Sequence, residues 1–180
     1  MTPTLFSVSY AGFWGQHRID LDSFVTKAAD LGYPAVEMMA KRPHLSVLDF
    51  GKAQLESLRK HADSRGVEIA TIAGYTDFTS GKQSAEVPFV EMQLLYVKQL
   101  AAMAQSLGAK IIRVFTGYTT DETGYFADWD KCVKAIRESA AIAEEFGVTL
   151  GVQNHHDTGI STAAYVEFLD EVGHANCKAM

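Results

Sequence analysis

The chain is poor in cysteine, proline and tryptophan, with two, four and two in 180 residues. Cys132 and Cys177 stand too far apart for a CxxC motif. Two thiols make no disulfide framework, so a reducing cytoplasm is the expected compartment. No stretch approaches the ~18 uninterrupted apolar residues that a membrane-spanning helix needs. Met1–Leu5 lacks the basic segment and apolar run of a signal peptide and is not read as one. Lysine and arginine total 16 against 22 acidic residues, a net charge of −6, and they form no cluster. That balance argues against a nucleic-acid groove and against an anionic membrane surface. A glycine-rich dinucleotide fingerprint is missing too. Where it would stand, the chain reads Tyr10-Ala11-Gly12-Phe13-Trp14-Gly15, with two bulky aromatics where a pyrophosphate needs bare backbone. A phosphate-binding P-loop is likewise absent.

What the chain does have is a repeat of form. Five times an amphipathic helical pattern ends in a glycine (Gly32, Gly66, Gly108, Gly147, Gly173) and is followed by a short apolar run. The runs are Ala35–Met39, Val67–Ala73, Lys110–Phe115, Val148–Gln153 and a stub, Cys177–Met180, while Leu5–Tyr10 supplies a strand before the first helix. Near-continuous apolarity is the mark of strands covered on both faces. Helix signals agree with this. Leu21, Phe24, Val25, Ala28 and Leu31 share one face behind Asp20 as N-cap, and Pro88 suits the first turn of a helix running to about Leu107. Strict β-α alternation predicts a parallel sheet with right-handed crossovers.

Polar residues crowd just after the strand ends, where barrel enzymes keep their chemistry. They are Glu37 with Lys41, Arg42 and His44; Tyr75 with Asp77; Thr116 with Tyr118; and Gln153-Asn154-His155-His156-Asp157. The expected fold is therefore α/β, a (β/α)8 TIM-barrel type, incomplete at five βα units plus the start of a sixth strand. A full barrel takes about 250 residues. Residues 1–180 are read as a single barrel domain and as a C-terminally truncated piece of one. Exposed strand edges would then invite pairing with a second copy, a homodimer.

Gln153 and His155, two apart at a strand end, point to the same side. An amide oxygen and an imidazole there suit Mn, Co, Zn or Fe(II), and an all-oxygen set would suit Mg; the plainer reading is a pair of histidines that only hold the neighbouring loop. Glu37 lies in mid-strand, where a carboxylate must be paired or coordinating. It is either an acid at the barrel mouth or the partner of Arg113, the charged residue of another apolar run. Lys41 and His44, in Lys41-Arg42-Pro43-His44, offer cationic contacts to a substrate anion, or form a solvated loop. Trp14, beside Phe13, offers an apolar wall against a sugar ring.

These segments carry a resemblance. Gly147–Asp157, with Gln153-Asn154-His155-His156, resembles the fifth-strand segment of the xylose isomerase-like barrel superfamily, which includes sugar isomerases and epimerases and the endonuclease IV branch. Ala35–His44 resembles its second-strand segment and Ile111–Gly117 its fourth. The resemblance implies a divalent metal held by Glu, Asp, His and Glu from the fifth to eighth strands, and proton transfer beside a carbonyl through an enediolate. Only the first ligand position falls within this chain, and it is Gln153 instead of Glu. The implied reading is a sugar or sugar-phosphate isomerase or epimerase acting on a small carbohydrate. Gln153 and His155 are its metal ligands, and Glu37, His155 and His156 its catalytic groups. Trp14, Lys41, His44, Tyr75, Arg113 and Asn154 bind substrate. The alternative is a non-catalytic carbohydrate-binding or structural member. An endonuclease is disfavoured by the net charge of −6.

Overall fold

Each of the five glycines that close the helical patterns has a positive φ, between 59° and 79°, the left-handed conformation that ends a helix without a Cβ penalty. The computed structural model describes residues 2–81, 86–120 and 123–180. In chain order the described residues form β1 (Thr4–Phe6), a 3-10 turn (Ser7–Tyr10), α1 (Leu21–Asp30), β2 (Ala35–Met39), α2 (Lys52–Ser64), β3 (Glu68–Ala73), α3 (Phe89–Leu107), β4 (Ile111–Phe115), α4 (Tyr125–Glu145), β5 (Thr149–Gln153), α5 (Thr162–Val172) and β6 (Cys177–Ala179). All strand pairs are parallel, and strand order follows chain order from β1 to β6. The sheet is open, with β1 and β6 as its edges. No described helix is long and apolar enough to cross a membrane.

Local chemistry explains the element ends. The Asp20 carboxylate accepts from Ser23 N at 2.8 Å, capping α1 as the sequence predicts. The first strand is shorter than Leu5–Tyr10. Its second half curls into the 3-10 turn, which brings the buried Ser7 hydroxyl to Met39 N (2.8 Å) at the end of β2. A hydrogen bond to a neighbouring strand outweighs the extended preference of Ser7–Tyr10.

The period of two along each strand sorts the side chains. Val36, Met38, Ile72, Ile112, Val114, Leu150 and Val152 pack into the core between sheet and helices, together with Phe24, Leu100, Ile136 and Phe168. The alternate residues, Glu37, Thr71, Ala73, Arg113, Phe115, Gly151 and Gln153, face the other way. Buried apolar residues on one face anchor the sheet, and the polar ones are thereby gathered on the opposite face. A register shift between Val36 and Glu37 against β3 occurs where the buried acid enters that face.

Candidate functional site

The strand ends of β1 to β5 enclose a cleft of about 560 Å³. Trp14, Lys41, Tyr75, Arg113, Gln153, His155 and His156 line it, with Phe13, Asp77, Phe115 and Tyr118. Seven of the sequence-predicted site residues therefore meet in one place.

Arg113 rises from the middle of β4 and is 2% exposed. Its guanidinium carbon lies 4.2, 5.2 and 5.6 Å from the ring centres of Phe115, Tyr75 and Phe6. Its Nε is 3.3 Å from Glu37 Oε1, yet makes no hydrogen bond. Glu37 does not line the cleft; it supplies the countercharge to Arg113. Burial pushes the Glu37 carboxyl above its ordinary range, and Arg113 offsets only part of that. Gly74 lets β3 approach this point: its N–H donates to Arg113 O at 2.7 Å, and a Cβ there would lie 2.9 Å from the same oxygen.

Lys41 follows β2. The buried Tyr96 hydroxyl donates to Ala40 O at 2.6 Å, fixing the chain just ahead of it, and burial pushes that phenol up to about 12. The Lys41 ammonium sits 3.9 Å above the Tyr75 ring and 5.1 Å from Phe13. Burial, then the field of Arg113, hold it below the usual lysine value. Arg42 instead turns outward in a two-pronged pair with Asp49 (2.6 and 2.7 Å).

At the other wall, His155 and His156 face each other at right angles with their Nδ1 atoms 3.2 Å apart. One nitrogen must donate and the other accept, so at least one ring is neutral at Nδ1. Phe115 supports both, at 4.5 and 4.7 Å, and Tyr118 stacks on His156 at 4.0 Å. Burial first, then His155, lower the His156 pKa. Burial pushes the Asp77 carboxyl up, but hydrogen bonds from Ser80 and Thr79 outweigh it and hold the group below its ordinary value.

Two predicted contacts lie elsewhere. His44 is buried with both ring nitrogens engaged, Nδ1 with Ser7 Oγ and Nε2 with Ile19 O, each at 3.1 Å. It joins the β1 turn to the β2 loop and leaves no nitrogen for a ligand. Asn154 donates to Ile160 O at 3.2 Å and steadies its own loop outside the cleft. Tyr118, named among the strand-end polar residues, lines the cleft, and Phe115 belongs to it without having been singled out. The place of Phe115, two residues after Arg113 on the same strand face, is the signal that could have found it.

The loop bearing Tyr118 is clamped just after it by two aspartates. Thr119 N donates to Asp157 Oδ2 (3.0 Å). The fully buried Asp128 accepts from Thr120 N (2.7 Å), Thr120 Oγ1 (3.0 Å) and Thr123 Oγ1 (2.5 Å). Asp128→Ala will cost about 2–3 kcal/mol in urea unfolding, since these donors lose their acceptor. Burial raises the Asp128 carboxyl, but the threonine hydrogen bonds outweigh it and leave the pKa lowered. Its stabilisation is therefore complete above the ordinary aspartate range and is lost as pH falls through the folded value. Asp128→Asn will flatten that acid limb of the stability profile.

Among the described residues no group of three or more His, Cys, Asp or Glu is placed to hold a metal ion. Of the donors that line the cleft, the two expected to hold a metal are the amide oxygen of Gln153 and the imidazole of His155. Both line the cleft, and an amide oxygen and an imidazole nitrogen ligate without bringing negative charge, so they fit part of a coordination sphere whose charge must come from other donors.

Residues 25–180 match a protein family described as xylose isomerase-like TIM barrel. A curated relative, D-psicose 3-epimerase of Ruminiclostridium cellulolyticum, is 25% identical over 185 residues, covering 95% of this chain and 60% of the relative. The chain thus spans about three fifths of that relative's length. A crystal structure of D-psicose 3-epimerase with D-tagatose, from Clostridium cellulolyticum H10, superposes with a TM-score of 0.79 at 19% identity, over 100% of this chain and 63% of that one. The IOLI protein with a binding zinc atom gives 0.76 at 14% identity, over 98% and 61%. At these identities the solved structures establish the fold.

Proposed function

Because the chain belongs to the xylose isomerase-like TIM barrel family, we propose that its strand-end cleft is the substrate site of a sugar isomerase or epimerase that moves a proton beside a carbonyl. One observation carries the reading: a buried arginine, a lysine, two histidines and an apolar aromatic wall converge at the C-terminal ends of parallel strands, where barrel enzymes keep their chemistry.

Each residue then has a task. Phe13 and Trp14 pack against the apolar face of the substrate, and Lys41 and Arg113 hold its oxygens by charge-assisted hydrogen bonds. Glu37 keeps Arg113 in place. The His155–His156 pair steadies the hydroxyl and carbonyl oxygens as charge shifts between them, with the free Nε2 atoms as donor or acceptor. Gln153 and His155 would hold a divalent ion together with anionic donors from outside the described strands. When bound, that ion polarises the carbonyl and eases loss of the neighbouring proton. The base that removes the proton is a carboxylate supplied from outside these units.

The test is hydrogen exchange. The protein, supplied in turn with Mn(II), Co(II) and Zn(II), is incubated with ketohexoses, sugar phosphates and sugar acids in heavy water. Deuterium entering the carbon next to the carbonyl, seen by NMR, is the expected result; no incorporation into any of them refutes the reading. Gln153, a neutral ligand where the family's carboxylate would stand, favours a second reading, a carbohydrate-binding member without catalysis. Binding without exchange is its signature.

A further inference from the structure

Resting on the reading of the cleft as a substrate site, we infer that Lys41 and Arg113 form a carboxylate-binding subsite, so that the ligand is an acidic sugar and not a neutral one. Arg113 is buried, yet its Nε has no hydrogen-bond partner, and Glu37 is the only carboxylate that it pairs with among the described residues. A guanidinium carries five N–H donors, and the one at Nε is left without a hydrogen bond although a carboxylate oxygen lies 3.3 Å away. Lys41 has no carboxylate within ion-pair distance among the described residues. Both cations sit on one ring: the Lys41 ammonium is 3.9 Å and the Arg113 guanidinium carbon 5.2 Å from the centre of Tyr75. Asp77, the acid that does line the cleft, has its Oδ1 turned to Thr79 and Ser80 and is not within ion-pair distance of Lys41 among the described residues. Around the Tyr75 ring two cations thus stand with only Glu37, among the described residues, in ion-pair contact, and that contact is with Arg113. An anion lying between them would take contacts from both.

The shape of the wall selects the anion. Phosphates are commonly held by backbone N–H groups at glycine-rich loops or helix N-termini. Here the groups around the two cations are aromatic rings, Phe13 and Tyr75 at Lys41 and Phe6, Tyr75 and Phe115 at Arg113. A planar guanidinium fork between aromatic faces matches a planar carboxylate.

The experiment is a calorimetric titration of the protein with D-glucuronate, D-glucose and D-fructose 6-phosphate at low salt. D-Glucuronate should bind about tenfold or more tightly than D-glucose, the margin of one charge-assisted contact, and should weaken as salt is raised. Lys41→Met should remove most of that margin, costing D-glucuronate far more affinity than D-glucose, while Lys41→Arg should keep it. Circular dichroism would verify that both variants fold; Lys41 is chosen because it is far less buried than Arg113. Equal affinity for the two hexoses, no binding of either, or tighter binding of D-fructose 6-phosphate than of D-glucuronate overturns the inference. Failure of the isomerase reading looks different: preferential D-glucuronate binding would persist without deuterium exchange in any acidic sugar.

Discussion

Alanine at position 113 will lower the stability of the fold by about 3–5 kcal/mol near neutral pH, because it strands a buried carboxylate and empties the space between three aromatic rings. Glu37 is the stranded group, its side chain 17% exposed and its present ion pair 3.3 Å away. Its carboxyl is already raised by burial, with Arg113 the main influence in the other direction. Losing the arginine raises it further. A carboxyl whose folded pKa is raised contributes stability below its unfolded value and loses it as pH climbs through the folded one. The cost of Arg113→Ala should therefore shrink in acid, where Glu37 is protonated and needs no partner. Urea unfolding at several pH values measures this. A second substitution, Glu37→Leu with Arg113→Met, should recover most of the loss, since an apolar pair of similar size requires no desolvated charge. A cost that stays constant with pH would show that packing alone is at stake.

Phe115→Ala should be comparably severe, about 3–4 kcal/mol for a buried phenylalanine, and its second effect is the more informative. Phe115 touches Arg113, His155 and His156 at 4.2, 4.5 and 4.7 Å, so one ring supports both walls of the cleft. Without it His156 gains water, and burial is the foremost cause of its lowered pKa. An NMR titration should find the His156 pKa moved back toward the ordinary histidine value. Retention of the depressed value would assign the effect to the His155 contact.

Much of this architecture is legible in the sequence, for physical reasons that differ by element. Strands β2 to β5 are readable because burial on both faces demands near-continuous apolarity, and because a helix-ending glycine marks where each begins. Ser7–Tyr10 reads as strand because local propensity cannot register a hydroxyl recruited by Met39 N, 32 residues away. Glu37 and Arg113 announce each other, since a charge inside an apolar run needs an opposite charge from another run. His44 misleads for the converse reason: it follows Lys41 and Arg42 at a strand end, and only the fold reveals that Ser7 and Ile19 take both of its nitrogens. Tyr118 is legible as a rim residue, but its place over His156 is not, because a loop held by Asp128 and Asp157 sets it.

The strand order has a consequence for cooperativity. Because spatial order copies chain order, each βα unit leans on its sequence neighbours, and no element of the first two units packs substantially on β5, α5 or β6 among the described residues. Such an array melts as a row of dominoes, with little to make its ends fail together. Arg113 is a chord across the row, tying the fourth unit to Glu37 of the second and to the Phe6 ring of the first. The cleft spans all five units. A ligand seated there adds further chords, so its binding energy would reach the whole array and turn a sequential opening into a concerted one.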